Sequence, residues 1–545
     1  MKVLILGGYG TFGGRLAHLL SDLAEIEILI AGRSRAKAQA FCSRFAGAAK
    51  VTPLALDRAD IASALVDHRP DLVVDASGPF QDYGNDRYQV IEACINAGVD
   101  YMDLADGADF VEGVEAYDQA ARDKGIFVLS GVSSFPVLTA AVLADIATRM
   151  DIVDVEGGIA PSPYAGVGQN VLRAVLGYAG DNVRLTRNGR QSHARGLVEN
   201  RRRTISVPGH LPLHNTRFSL VDVPDLRLIP AGHPSLRNIW MGAGPVPEIL
   251  HRLLNALAWL RSWGLLPRLA PLAPICHVVL NALKAGEHRG GMYVAARDDT
   301  GAEEAWHLLA EGDDGPLIPS MAIEVLVRKL AAWQRPKAGA RSGIGALRLA
   351  DYRGAFERRQ IKTGFRSGQK GALYENVLGS AFCDLPRPIQ AFHAATGTWR
   401  GTADITGGQS RAARALARLL GFPRAGKGVP VSVTTTRLGT GERWQRDFGR
   451  HRMTTTQTPG VGRMEGLIVE RFGAITVGLA LVADQGRLYL IPRRWSFLGI
   501  PLPKRFLPSG ETFETETAST FQFDVTVRVP VLGLIAAYRG TLMPA

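Results

Sequence analysis

Cysteine is scarce in this chain: of 545 residues only Cys42, Cys94, Cys276 and Cys383 are cysteines, and no two form a C-x-x-C pair. That scatter argues against a disulfide framework and a cysteine zinc site, and it suits a reducing, cytoplasmic compartment. His210 and His214 stand four apart, but Pro212 between them rules out a regular helical metal pair, so no metal is expected. Long uncharged apolar runs are also missing. The first run, Val3 to Leu6, passes at once into glycines, so neither a signal peptide nor a membrane span is expected from it. A Tyr-x-x-x-Lys pair is absent as well. Acidic residues are in deficit at one end only: from Ile361 to Ala545, 24 Lys and Arg face 12 Asp and Glu, so the whole formal excess of +12 falls there. An arginine-rich soluble surface accounts for it without a nucleic-acid partner.

What is present is a globular composition, 46% hydrophobic and 21% charged, long enough for about three domains. The stretch Lys2 to Arg33 organises it. A short apolar run, Val3 to Leu6, suits a buried parallel strand, and Phe12, Leu16, Leu19 and Leu20 recur at helical spacing behind a glycine turn. Backbone N–H groups hold a pyrophosphate only if the turn is tight and free of Cβ atoms. Gly8, Gly10 and Gly13 read as G-x-G-x-x-G; Gly7, Gly10 and Gly13 equally read as G-x-x-G-x-x-G, and both registers stay open. Thr11 and Phe12 lie inside the same loop. The second apolar run ends Gly32-Arg33-Ser34, with no carboxylate to hold a ribose 2′-OH. Arg33 can offer its guanidinium fork to a 2′-phosphate with Ser34 as a second donor, which predicts NADP(H); the bland alternative makes Arg33 a solvated cation and Ser34 an N-cap.

Strand-like runs recur at Val51 to Leu54, Leu72 to Asp75, Tyr101 to Leu104 and Ile126 to Leu129, predicting a doubly wound parallel sheet from Met1 to about Ser130. The loops leaving those strands should meet above the cofactor. Asp57 follows the third strand, as an adenine contact or as a helix N-terminal charge. Ser77-Gly78-Pro79-Phe80 form a small-residue turn toward the nicotinamide ribose. Asp103, Asp106, Ser130 and Ser133 are the candidates for acid or polar catalysis.

Beyond Ala140 the pattern is mixed α/β, with Gln169 to Tyr178 helical behind a Gly166-Val167-Gly168 turn and Arg201-Arg202-Arg203 read as a solvated loop. Val246 to Leu283 is apolar but broken by Arg252, Arg261 and Arg268 and by three prolines. A buried helical pair or substrate lid is one reading; a membrane interface with Trp259 and Trp263 at headgroup level, peripheral at the inner face of a membrane, is the other. Gln334 to Gly371, rich in Gly, Lys and Arg, reads as a domain boundary, and the remainder as a β-rich region behind one helix, Gln409 to Leu420. In that region Trp444, Arg446 and Phe448 alternate with Arg443, Gln445 and Asp447, as strands around a cavity do, and Arg446, Arg452, Glu470 and Arg471 are either pocket residues or structural ion pairs.

The segments VLILGGYGTFGGRLA, AGRS, VVDASGPF and YMDLADG, with WHLLAEGDDGPLIPSMAIEVLVRKLA from Trp306 to Ala331, resemble the saccharopine dehydrogenase-like oxidoreductases of the saccharopine reductase type over Met1 to Phe356. The resemblance implies an NADP-binding Rossmann domain (1–130) and a second α/β domain (131–360) that packs on the Rossmann sheet and can mediate a homodimer. It also implies a cofactor loop at Gly7, Gly10 and Gly13, a 2′-phosphate site at Arg33 and a nicotinamide-side turn at Gly78-Pro79-Phe80. This chain has GVSSFP where family members carry an Asp or Asn ahead of the Ser and Pro, which argues against saccharopine as substrate. The segments RPIQAFHAATGTWRGTADI, ERWQRDFGRHRM, VERFGAI and AAYRGTL resemble the domain of unknown function numbered 4166, which implies a β-rich third domain (372–545). The expected function is an NADP(H)-dependent oxidoreductase acting on a small molecule, a lipid-like carbonyl or enoyl compound by the apolar stretch. The competing reading is a non-catalytic NADP-binding module whose cofactor state controls lipid or protein binding by the C-terminal domain.

Overall fold

Lys2–Leu6 (β1) is buried along nearly its whole length, as a strand covered on both faces of a parallel sheet must be. In the computed structural model, which describes residues 1–166, 168–244, 247–284, 286–368, 371–449 and 451–545, this strand lies inside a seven-stranded sheet. Beside it run Glu27–Gly32 (β2) and Lys50–Ala55 (β3) on one flank, and Leu72–Asp75 (β4), Asp100–Asp103 (β5) and Phe127–Ser130 (β6) on the other. All these neighbours pair in parallel, with Leu6 in register with Ala31 and with Asp75. β3 carries Pro53 and takes the edge, where a missing N–H costs least. The order is that of a doubly wound Rossmann sheet, and its switch point falls beside β1.

A seventh strand corrects the reading of Gln334 to Gly371 as a mere boundary. Gly339–Ser342 returns to pair in parallel with β6. Four residues without apolar alternation carry no strand signal; long-range polar contacts hold this one. The Arg335 Nε donates to Asp100 at 3.0 Å and the Ala340 amide to Asp118 at 3.0 Å. Gln369 and Lys370, inside the same stretch, lie outside the described residues, as do Val167 of the glycine turn and Val246 at the start of the apolar run.

The second sheet is mixed. Asp154–Ala160 pairs in parallel with Asn238–Ala243 and antiparallel with Gly290–Arg297, which pairs in turn with Glu303–Ala310; Asn200–Ile205, Leu213–Leu220 and Ile361–Ser367 complete it. Arg201-Arg202-Arg203 are therefore strand residues, not a solvated loop. Arg201 bonds the buried Glu156 at 2.7 Å with its guanidinium over the Trp240 ring, which converts the charge run into one side of a packed sheet. Ile318–Ala331 starts with Pro319 in its first turn and is buried from Ile318 to Val327 along most of its face. It packs on Thr11–Leu19 (α1), where Ser320 bonds the Phe12 carbonyl at 3.3 Å and Arg328 the Leu19 carbonyl at 3.0 Å. Apart from residues 202–205, 213–216 and 363–367, these elements form one compact unit, Met1–Arg201 with Arg217–Lys362.

The other unit, Arg202–Thr216 with Thr363–Ala545, is a β-barrel. Its ten main strands pair antiparallel in one sequence of neighbours, and the ring closes where Ile475–Asp484 meets Arg487–Phe497. The short helix Arg411–Leu419 lies within the stretch read as Gln409 to Leu420 and is capped by Ser410, whose Oγ accepts the Ala413 amide at 3.0 Å. Trp444, Arg446 and Phe448 face inward as their alternation predicts.

Candidate functional site

The site grows from the turn after β1. Gly7 holds φ +72°, and a Cβ there would lie 2.8 Å from the Ala76 carbonyl oxygen. At Gly13 a Cβ would come within 2.4 Å of the Gly7 oxygen, so the turn closes on α1 only with hydrogen at that position. The Gly10 amide donates to the Gly7 carbonyl at 2.8 Å, and Gly10 is the extended N-cap of α1. No side chain caps α1 and no acid stands in its first turn, leaving a helix N-terminus suited to an anion.

A cleft of ≈ 960 Å³ opens above this turn along the C-terminal edge of the sheet. Of the residues marked by the sequence, Gly7, Gly10, Thr11, Phe12, Arg33, Asp57, Ser77, Gly78, Pro79, Phe80 and Asp106 line it. Gly8 and Gly13 stand behind its wall as packing positions. Ser34 also stays out of the wall: it caps Arg35–Cys42 (α2), its Oγ accepting the Lys37 amide at 3.4 Å, while its own amide donates to the Tyr9 hydroxyl at 3.0 Å. That cap starts the helix so that Arg33 and Lys37 both reach the cleft at the end of β2. Asp57 has the geometry of its bland reading as well, since its Oδ1 caps the turn Arg58–Asp60 through the Ala59 amide at 3.1 Å.

Asp103, Ser130 and Ser133 are not brought to the cleft with Asp106. Asp103 is fully buried, and its Oδ1 accepts from the Gly131 amide at 2.7 Å, the Ala105 amide at 2.9 Å and the Ser130 hydroxyl at 3.0 Å. Burial pushes its carboxyl up to about 7 although all three donors pull the other way. The carboxylate side chain ties the loops after β5 and β6 together. Asp106 remains in the cleft wall and accepts from the Gln81 amide at 3.0 Å. The cleft walls around this carboxyl raise its pKa against the pull of that hydrogen bond, although the side chain itself stays exposed to solvent.

Several cleft residues carried no sequence signal. Tyr83 bonds Ser77 Oγ at 2.8 Å and stacks beneath the Arg58 guanidinium at 3.5 Å. Ser77 in turn binds Asp75, whose burial raises its pKa while Arg58, 3.6 Å away, lowers it. Asn170, opening the helix Gln169–Tyr178, donates to the Gly78 carbonyl at 2.8 Å and so fixes the turn after β4 from across the cleft. Lys37 was legible in principle, in the first turn of the helix that Ser34 caps directly after Arg33.

The apolar stretch forms two helices, Glu248–Ser262 and Ala273–Ala282, the second packing against Gln169–Tyr178. The pair is not buried: Ile249, Leu253, Trp263, Leu265, Ile275 and Val278 are each more than half exposed. Only His251, Asn255 and Ala258 of the first helix, and Ala273 of the second, are buried. No helix among the described residues is long and apolar enough to cross a membrane.

The residues present fit a nicotinamide dinucleotide: a Cβ-free turn, an uncapped helix N-terminus and a cleft running from Arg33 to Asp106. Comparison with known proteins agrees. Residues 3–129 match the saccharopine dehydrogenase NADP binding domain, and residues 385–542 match the domain of unknown function DUF4166. Over 174 residues, 29% of this chain and 42% of the relative, the sequence is 32% identical to carboxyaminopropylagmatine dehydrogenase of Synechocystis sp.. The match thus spans less than half the length of that relative. Among solved structures, apo saccharopine dehydrogenase (L-Glu forming) from Saccharomyces cerevisiae aligns at TM-score 0.48 and 14% identity, over 68% of this chain and all of that one. An amine dehydrogenase from Mycobacterium smegmatis aligns at 0.32 and 12%, over 64% and 95%. With its Rossmann sheet, glycine turn and cleft in place, the N-terminal part of the chain, residues 3–129, is a nicotinamide-cofactor-binding domain of the saccharopine dehydrogenase type, and residues 385–542 are a DUF4166 domain.

Proposed function

We propose that the chain is an NADP(H)-dependent oxidoreductase that reduces or forms a carbonyl or enoyl group on a lipid-like small molecule. The observation that carries this reading is a single cleft with two cations, Arg33 and Lys37, at one end and a carboxyl, Asp106, at the other. The bound nicotinamide supplies or accepts the hydride. The glycine turn and the first turn of α1 bind the diphosphate, Arg33 and Lys37 bind the 2′-phosphate, and Asp57 borders the adenosine. Ser77 to Phe80, braced by Tyr83 and Asn170, hold the nicotinamide side. Asp106 gives a proton to the substrate oxygen during reduction and takes it back in the reverse direction, while Asp103 positions the two loops beside it. Apolar helices behind Gln169–Tyr178 favour an apolar substrate.

Deuteride transfer from 4-deuterated NADPH to a panel of medium-chain aldehydes, ketones and enoyl thioesters tests this. Deuterium should appear stereospecifically in one product class. NADPH binding without transfer to any member would favour the non-catalytic cofactor-binding module instead. Asp106→Asn is expected to lower kcat for reduction about 100-fold with KM changed only a few-fold. In the parent enzyme the reduction rate should fall as pH rises through the raised pKa, because the proton donor is lost; the variant should lack that limb, and an unchanged profile would remove Asp106 from the chemistry.

The exposed apolar helices favour one addition to this reading, contact with an anionic membrane surface. From Ile249 to Leu283 there is no Asp or Glu, and Trp259 and Trp263 lie side by side and exposed, ring centroids 3.7 Å apart and planes tilted by 44°. The protein should co-float with phosphatidylglycerol vesicles at low salt, and Trp259→Glu with Trp263→Glu should abolish this. Failure of the parent protein to float ends the membrane reading and leaves the cofactor reading untouched.

A further inference from the structure

The barrel of the C-terminal unit encloses a cavity of ≈ 370 Å³. Ten strands leave more interior than their own side chains must fill, and eight already suffice to hold one small ligand. The walls are apolar and aromatic, among them Trp444, Phe448, Leu479, Phe521 and Phe523. Leu416 of the helix Arg411–Leu419, with Leu420 and Phe422 after it, lines one part of the cavity wall, while Arg411, Arg414 and Arg418 of that helix are exposed.

Two kinds of polar group face this cavity. The first is internally satisfied: Arg446 donates to Thr455 at 2.8 Å and to Glu470 at 3.1 Å, Thr455 donates to Glu470 at 2.7 Å, and the guanidinium lies 4.7 Å from the Trp444 ring centroid. These are the structural ion pairs that the sequence offered as an alternative for Arg446 and Glu470; Arg452 instead pairs with Asp447 on the outside, and Arg471 does not line the cavity. The second kind has no partner. Gln457, opposite Glu470 in the ladder, is fully buried, and neither its amide nitrogen nor its oxygen finds a hydrogen bond among the described residues. The Tyr374 hydroxyl, also fully buried and also in the wall, is likewise unpartnered. Buried carboxamides and hydroxyls are almost always bonded, so a pair of them in an apolar wall points to a ligand that completes them.

We propose that the barrel is a binding site for a single-chain neutral lipid with a hydroxyl head, seated with its chain among the aromatic walls and its hydroxyl on Gln457. A hydroxyl donates one hydrogen bond and accepts two, so it can donate to the amide oxygen and accept from the amide N–H together, and its second lone pair can accept from the Tyr374 hydroxyl. A carboxylate head fits badly. Glu470 lies beside Gln457, Glu514 stands in the same wall, and the Arg446 fork is already committed to Thr455 and Glu470. The site stands on residues of the C-terminal unit alone and does not depend on the cofactor cleft.

Equilibrium binding of radiolabelled dodecan-1-ol to the full-length protein, without nucleotide, tests the assignment against dodecane and dodecanoate. Saturable binding near one per chain is expected, with dodecan-1-ol preferred over dodecanoate. Gln457→Leu should weaken dodecan-1-ol binding about 10-fold and leave dodecane binding unchanged or improved, since it removes the head contact but not the walls. The same variant should raise the Tm of the ligand-free protein, which shows that it folds. Leu479→Trp should block both ligands by filling the cavity; if it fails to fold, Gln457→Leu still decides. No saturable binding of dodecan-1-ol overturns the site. Tighter binding of dodecanoate, or an alcohol affinity unmoved by Gln457→Leu, overturns the hydroxyl head.

Discussion

Arg33→Asp is expected to weaken NADPH binding about 100-fold while changing NADH binding only a few-fold. The substitution removes a charge-assisted hydrogen-bonding fork and sets a carboxylate where the 2′-phosphate would lie, so loss of attraction and new repulsion add. Two such effects of roughly 1.5 kcal/mol each give that factor. Lys37, the other cation lining this end of the cleft, keeps the loss from being total, and Lys37→Ala alone should cost NADPH about 10-fold. Titration of nucleotide fluorescence at fixed ionic strength measures both, because exposed charge contacts weaken with salt. Equal weakening of NADPH and NADH would mean that Arg33 supports the loop and does not read the phosphate, and the NADP(H) assignment would fall.

How much of this site could be read without coordinates depended on whether the signal was local. The glycine turn was legible because β1 and α1 flank it within twenty residues, and the tip of β2 because a missing acid is visible in the string itself. Lys37 needed one more step, the recognition that Ser34 starts a helix and so turns residue 37 toward residue 33. Asp103 shows the opposite case. Its position after a strand marks it as near the cleft edge, but position alone does not tell which way a side chain points, and three donors from two loops turn it inward. Tyr83 lies in a segment without periodicity and Asn170 at the start of a helix whose place over the cleft is not local, and their roles follow from contacts with Ser77 and Gly78, the latter 92 positions from Asn170.

The folds divide along the same line. The hairpin Ile475–Asp484 with Arg487–Phe497, where the ring closes, is visible as two apolar-alternating runs around a turn, yet the ring also needs Thr398–Gly407 beside Gly533–Pro544, strands more than a hundred residues apart. Likewise Gly339–Ser342 joins the Rossmann sheet through Asp100 and Asp118, more than two hundred residues earlier. For 248–283 the sequence leaves a buried pair or lid and an interface open, and the exposed face excludes only the buried pair: its composition is that of a core helix, and only its neighbours decide which side is covered.

Gly13→Val should abolish measurable binding of both NADPH and NADH, a loss of at least about 100-fold for each, and so differ in kind from Arg33→Asp. At this position a Cβ would lie 2.4 Å from the Gly7 oxygen and 2.9 Å from Gly7 C and Gly8 Cα, all backbone atoms that no rotamer change can move. Either the turn opens or α1 shifts, and in both cases the N–H groups that would face the diphosphate lose their common centre. Overpacking of this kind costs roughly 1–3 kcal/mol of stability, so the first unit should melt several degrees lower yet remain folded by circular dichroism. Gly14→Ala is the matched control: its Cβ meets the Phe41 ring edge at 3.1 Å, a side chain that can yield, and nucleotide affinity should stay within a few-fold. The barrel supplies a second control, because dodecan-1-ol binding in Gly13→Val should match the parent protein. A Gly13→Val variant that still binds NADPH normally would show that the turn is not the diphosphate cradle, and the cofactor assignment would have to be rebuilt from another part of the cleft.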